Sequence, residues 1–205
     1  MHRLIMEFIG TFFIVLAIGL SGDALAVGLT LVALIYMGSS ISGAHYNPAV
    51  SLGFFISSKL TLNDLLKYIL AQILGAFTAA GAILLITEFV YYIEPGSLSK
   101  LYNIATIEVL FTFIFVMTYL VVSLSTSHKR LQLNGLIAGL SFTGLIYVGG
   151  AITGAYFNPA LVIGSSLFDL ISGGTSYKFI PLYGLSTLTG GAIAGVAYNY
   201  FYRSK

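Results

Sequence analysis

Two identical triplets, Asn47-Pro48-Ala49 and Asn158-Pro159-Ala160, are the first residues of this chain whose types and spacing point to chemistry. Asn is a strong helix N-cap and Pro suits the first helical position, so each triplet marks the start of a helix. Two acids, Glu7 and Glu108, stand inside long apolar runs. If those runs cross a bilayer, an acid there is costly unless paired, and both become functional candidates. They can carry protons, or they can accept hydrogen bonds from backbone donors. His45 lies two residues before Asn47. No second His and no Cys is near it, so neither a metal site nor a cofactor is expected. His128, beside Lys129 and Arg130, reads as an ordinary loop cluster.

The composition says where these residues sit. Of 205 residues, 58% are hydrophobic and only 8% charged, against roughly 25% in soluble proteins. The mean hydropathy is +0.96. Six apolar stretches, 4–20, 25–41, 65–92, 102–124, 131–152 and 179–201, are each of a length to cross a hydrocarbon layer as a helix. None alternates as a barrel strand would. The first is not a signal peptide, since Glu7 interrupts it and no Ala-x-Ala site follows. The loops between spans are short, so the expectation is one transmembrane domain over 1–205. A net charge of +2 offers no basic face to a nucleic acid. The lipid bilayer is the expected partner.

The basic residues set the orientation. With the amino terminus inside, the inner face carries Arg3, Lys59, Lys67, Lys129, Arg130, Arg203 and Lys205, and the outer face Lys100 and Lys178. That bias puts both termini in the cytoplasm. Tyr91, Tyr92, Tyr198, Tyr200 and Tyr202 fall at span ends as interfacial anchors. The short termini suggest the plasma membrane of a prokaryote.

The chain also repeats itself. A shift of 111 positions lays residues 28–49 on 139–160 with twelve of 22 pairs identical. Glu7-Phe8-Ile9-Gly10-Thr11-Phe12 is echoed by Glu108-Val109-Leu110-Phe111-Thr112-Phe113. Each half, about 1–95 and 100–205, holds three spans, so the second half enters from the opposite face and the repeats are inverted. Such repeats place a pathway at their interface near the midplane, often built from broken helices. The apolar pieces 50–57 and 161–168 fit that role. With its Pro, each gives about 15 Å of helix, half a bilayer. Residues 38–46 and 149–157 are then expected to be non-helical approaches, tolerated only inside protein or along a wet cavity. Two half-helices entering from opposite faces meet amino end to amino end.

Ser42-Gly43-Ala44-His45-Tyr46-Asn47-Pro48-Ala49-Val50 and Thr153-Gly154-Ala155-Tyr156-Phe157-Asn158-Pro159-Ala160 resemble the two signature loops of the aquaporin and glycerol-facilitator family. Glu7 to Thr11 resembles its first-helix motif, and Ala71-Gln72-x-x-Gly75-Ala76 its third. The resemblance covers the whole chain. It implies an all-α fold of six transmembrane helices plus two half-helices, one pore per subunit and a homotetramer. It further implies a passive channel, not an enzyme, for water or small neutral solutes. By it, Asn47 and Asn158 aim an amide donor into the pore while capping their helices; plain capping is the alternative. The positive ends of the half-helices would oppose cations there. Glu7 and Glu108 would scaffold the loops, His45 would lie beside the pore, and Gly43 and Ala44 would offer carbonyl acceptors, with Gly154 their loop's counterpart. Small residues at Gly75, Ala79, Gly135, Gly139, Gly191 and Gly195 allow close helix contact, within one subunit or between subunits.

The selectivity constriction departs from the family. The residue after the second triplet, usually Arg, is Leu161. The matching positions are Val27, where water-selective members have an aromatic, Ile146, where they have His, and Ala155. The set is apolar throughout. Tyr156 replaces a small residue, and its hydroxyl is a candidate to restore some polarity. The competing reading is a proton-coupled transporter or ion channel of the same shape using Glu7 and Glu108. An intramembrane enzyme fares worst, for want of an Asp pair, a Ser/His arrangement or a metal cluster.

Overall fold

The computed structural model describes residues 1–96, 100–124 and 132–202. Among the described residues, four helices begin at a capping side chain and three end at a left-handed residue. Helix α1 (His2–Ser21) stops at Gly22, whose φ of 62° lets its N–H return to Ile18 O. Asp23 then accepts from Ala26 N at 2.8 Å and starts α2 (Ala24–Gly38). Asn47 starts α3 (Pro48–Ile56), and Thr61 starts α4 (Leu62–Thr87). The second half follows as α5 (Leu101–Ser123), α6 (Asn134–Thr153), α7 (Pro159–Ile171), a 3₁₀ turn at Ser176–Phe179 and α8 (Ile180–Tyr202). The described residues contain no strand.

The burial pattern is that of a protein solvated by lipid. Leu66, Leu70, Leu85, Phe89, Leu185 and Val196 are exposed, whereas Glu7, Gln72, Ser51, Glu108 and Thr112 are wholly buried. Four single helices and the segment Ser176–Tyr202 are long and apolar enough to cross a membrane, and α2 and α7 are shorter. The expected span 25–41 is therefore cut back. Helix α2 ends at Gly38 after 15 residues, about 22 Å. There Tyr46 lies against Gly38, and its hydroxyl donates to Leu34 O at 2.9 Å. On the other side α6 runs on to Thr153, so the expected non-helical stretch from 149 shrinks to residues 154–158. Gly149 and Gly150 stay helical because the left-handed residue that stops the helix is Gly154, φ 86°.

Helix α1 packs on α4 as α5 packs on α8, and α2 crosses to α6. Each half-helix packs on the last helix of the opposite repeat, α3 on α8 and α7 on α4. The small residues make these contacts within the chain. A Cβ on Gly75 would sit 2.5 Å from Phe8 O, and one on Gly190 would sit 2.5 Å from Val109 O. Gly139 likewise abuts Gly28 O at 2.6 Å, and Gly195 abuts Gly53 O at 2.9 Å.

Arg3 bonds Tyr68 and Asp64 at the start of α4, which places it at the same end of the bundle as Lys67. Lys100 and Lys178 precede α5 and α8, at the opposite end. His128, Lys129, Arg130, Arg203 and Lys205 lie outside the described residues.

Candidate functional site

Both Asn side chains do two jobs at once. Asn47 Oδ1 accepts from Ala49 N at 2.8 Å, and Asn158 Oδ1 accepts from Ala160 N at 3.0 Å, which caps the two half-helices. Each amide nitrogen then crosses to the other loop. Asn47 Nδ2 donates to Phe157 O at 2.8 Å, and Asn158 Nδ2 donates to Tyr46 O at 3.0 Å. A carboxamide has two N–H donors, so each keeps one for another acceptor. Between them is a small cavity of about 10 Å³, walled by Ile14, Leu31, Phe115 and Phe142 and reached by both Asn residues. That is room for roughly one water. The amino ends of α3 and α7 both face it, and their dipoles put positive potential there from two sides.

The loops that deliver the Asn residues are strained in the same way. Gly43, Ala44 and Tyr46 have φ of 89°, 53° and 53°, and Gly154, Ala155 and Phe157 have φ of 86°, 55° and 44°. A non-glycine residue held there costs of order 1–3 kcal/mol, so something must hold it. The two buried acids do. Glu7 accepts from His45 N at 3.0 Å, Tyr46 N at 2.6 Å, Ser42 Oγ at 2.6 Å and Gln72 Nε2 at 2.8 Å. Glu108 accepts from Tyr156 N at 3.3 Å and Phe157 N at 2.9 Å. A carboxylate with such donors serves as a fixed anchor for backbone. Neither acid reaches the cavity between the Asn residues.

His45 does reach it. Its Nδ1 lies 3.1 Å from Ser51 Oγ, and its ring is 4.2 Å from that of Phe54. Ser51 is held in turn by Gln72 Nε2 at 3.0 Å, so one amide links Glu7 to the His45 partner. Among the described residues no three His, Cys, Asp or Glu side chains converge on a metal position.

Of the four residues expected at the constriction, three fall together. Val27, Ala155 and the half-buried Ile146 belong to one apolar cluster. Leu161 is fully buried in a second one, with Val15, Ile83, Ile104, Tyr156 and Tyr183. Tyr156 corrects an expectation. Its hydroxyl donates to Glu94 O at 3.0 Å and accepts from Glu94 N at 3.1 Å, and its ring stands edge-on to Tyr183 at 4.9 Å. The hydroxyl is engaged by the backbone of the segment before α5.

On the other side of the Asn residues, Tyr119 of α5 donates to Gly43 O at 2.6 Å and Ala44 O at 2.9 Å. Below it opens a cavity of about 310 Å³ lined by Ser39, Ser40, Gly43, Phe54, Ser123 and Asn134. Sequence reasoning had no hold on Tyr119, which sits four residues from the end of α5, where a tyrosine reads as an interfacial anchor. Ser51 carried no signal either. Gln72 carried one, as a buried amide in mid-span.

The sequence model of the major intrinsic protein family matches residues 15–198. Aquaporin AqpM of Methanothermobacter thermautotrophicus is 30% identical, over 97% of this chain and 96% of that protein. Glycerol uptake facilitator protein-like 6 of Lactiplantibacillus plantarum is 32% identical, over 95% of each. The X-ray structure of the aquaglyceroporin from Plasmodium falciparum superposes with a TM-score of 0.83 at 26% identity, covering 98% of this chain and 96% of that one.

Proposed function

The chain belongs to the major intrinsic protein family, and we propose that its conduction path runs between Asn47 and Asn158 and through an apolar outer ring. It is a passive channel in the membrane for water or other small uncharged solutes. The observation that carries the path is the reciprocal bonding of the two Asn amides across the meeting point of the half-helices. A solute oxygen in that cavity accepts the remaining N–H of each amide. A water held by two donors there cannot also accept a proton from a neighbouring water, and the two helix ends repel cations.

Glu7 and Glu108 are scaffold in this reading. Their oxygens are occupied by loop donors, and a coupled transporter would need at least one of them open to the solute. The ring of Val27, Ile146, Ala155 and Leu161 offers no side-chain hydrogen bond. Water gives up partners to cross it, which slows water relative to small, weakly hydrated neutral solutes. The protein works as a homotetramer of single-domain subunits, each an inverted repeat, in a prokaryotic plasma membrane with both termini cytoplasmic. The basic residues at the two ends of the bundle support that orientation.

Proteoliposomes test the mechanism. Stopped-flow osmotic measurements with water, glycerol, urea and hydrogen peroxide are expected to give fluxes proportional to each solute gradient and indifferent to an imposed pH gradient. Solute movement driven uphill by a pH gradient, or a proton current above that of empty membranes, would support the coupled transporter instead.

A further inference from the structure

At the end of the bundle marked by Lys100 and Lys178, a cavity of about 280 Å³ gathers oxygen donors that the conduction path does not use. Glu94, Asp169, Thr175 and Ser176 are among its walls. Asp169 stands in the last turn of α7 and is only 6% exposed. The carbonyl end of a helix is negative, so a buried carboxylate there is unfavourable unless a positive charge is near. No side chain supplies one. Among the described residues the one ion pair is Arg3 with Asp64, at the opposite end, and Lys100 lies over the ring of Tyr102. An ionised carboxylate has room for about four donors, and among the described residues this one receives a single bond, from Ser176 N at 2.9 Å. That bond suits a loop anchor, but two further features do not follow from anchoring. A second carboxylate, Glu94, faces the same cavity. The side chain of Ser176, 4% exposed, has a hydroxyl with no partner among the described residues, and a buried hydroxyl left so calls for one.

We propose that this cavity binds a divalent cation of the calcium type, with Asp169 and Glu94 as its charged ligands and the Ser176 hydroxyl and waters completing the shell. The donors are all oxygen, which selects a hard cation, and no His or Cys lines the cavity to favour zinc. The space holds an ion with several of its waters, and walls made of turns suit the flexible coordination of calcium better than the strict octahedron of magnesium. Gly174 lets the chain close over the acid, since a Cβ there would fall on the Asp169 carboxylate. The ion would also brace the second signature loop. Tyr156 brackets the backbone of Glu94 through its hydroxyl, and its own N–H is held by Glu108. A cation between Glu94 and Asp169 therefore ties the segment before α5, and through Tyr156 the loop, to the end of α7.

Terbium, a stand-in for calcium that emits when a nearby tyrosine is excited, reports the site directly, since the chain has no Trp and Tyr92 lines the cavity. The full chain in a neutral detergent is titrated with Tb³⁺ and then with Ca²⁺, beside Glu94→Gln, Asp169→Asn and Glu88→Gln. Wild type is expected to give saturable emission that Ca²⁺ displaces at about 0.1–1 mM, the range of open extracellular sites. Glu94→Gln and Asp169→Asn are each expected to weaken binding about tenfold or more, because affinity follows ligand charge. Glu88→Gln, outside the cavity, is expected to bind as wild type does. Ca²⁺ should also raise the thermal unfolding midpoint of wild type but not of the two cavity variants. Asn at 169 keeps an acceptor for Ser176 N and Glu94 is exposed, so both variants should fold, which gel filtration checks. No saturable emission in folded wild type, or undiminished binding by folded Glu94→Gln, overturns the site.

Discussion

At the scale of single residues, the account turns on buried polar side chains whose partners are backbone. Glu7 holds four donors around a loop with three left-handed residues. Glu7→Gln keeps an acceptor and is expected to preserve folding and most of the flux. Glu7→Leu leaves those donors buried and unpaired, at about 1–3 kcal/mol or more per charged acceptor lost. Thermal unfolding in detergent measures this, and flux abolished by Gln in a normally folded protein would point to a proton role. The ring makes a second residue-scale prediction. Leu161→Arg supplies donors and is expected to raise the ratio of water to glycerol permeability, with some loss of stability because Leu161 is fully buried. Val27→Phe narrows the same ring and should reduce the larger solutes first. A ratio unchanged or lowered by Leu161→Arg in folded protein would remove Leu161 from the constriction. The Asn residues were legible in the sequence because capping chemistry, Pro and duplication coincide in six residues. Tyr119 and Tyr156 were not, since a hydroxyl at the end of a long side chain takes partners that only the packed loops define.

At the scale of elements, backbone approach sets the geometry. The half-helices reach the middle of the bundle because a glycine stands at each contact, Gly164 of α7 against α4 and Gly191 of α8 against α3. A Cβ on Gly164 would meet Phe77 N at 2.7 Å, and Gly191 lies against Ala49 O. Gly75→Leu and Gly190→Leu, made separately, are each expected to destabilise by about 1–3 kcal/mol or more through overpacking. Unfolding midpoints of the two variants in one detergent check this. Similar losses fit an inverted repeat, and a neutral result at either site contradicts the contact. The spans, the half-helix starts and the repeat could all be read from apolar runs and the shift of 111 positions. The ends of α2 and α6 could not. Residues 38 and 149 are both Gly and each meets a ring of the following loop, Tyr46 and Phe157, yet only the first ends a helix; Tyr46 alone carries a hydroxyl, and it bonds Leu34 O. That is a tertiary contact with no local signature.

At the scale of the whole molecule, the mid-bundle acids, amides and hydroxyls face inward and apolar surface faces out. Composition alone foretold this, since eight charged residues per hundred cannot solvate a surface. The same inversion leaves one polar meeting point inside the described bundle to which both half-helices lead. The absence of Cys from the sequence makes that path open to a direct test. Leu31→Cys puts the protein's single thiol in the wall of the central cavity, and Leu85→Cys puts it on the lipid face, where Leu85 is 86% exposed. Mercuric ion is then added during stopped-flow water measurements on vesicles of wild type and both variants, with thiol modification quantified. The account predicts block of Leu31→Cys and no effect on wild type or Leu85→Cys. Full modification of Leu31→Cys with undiminished flux would contradict it.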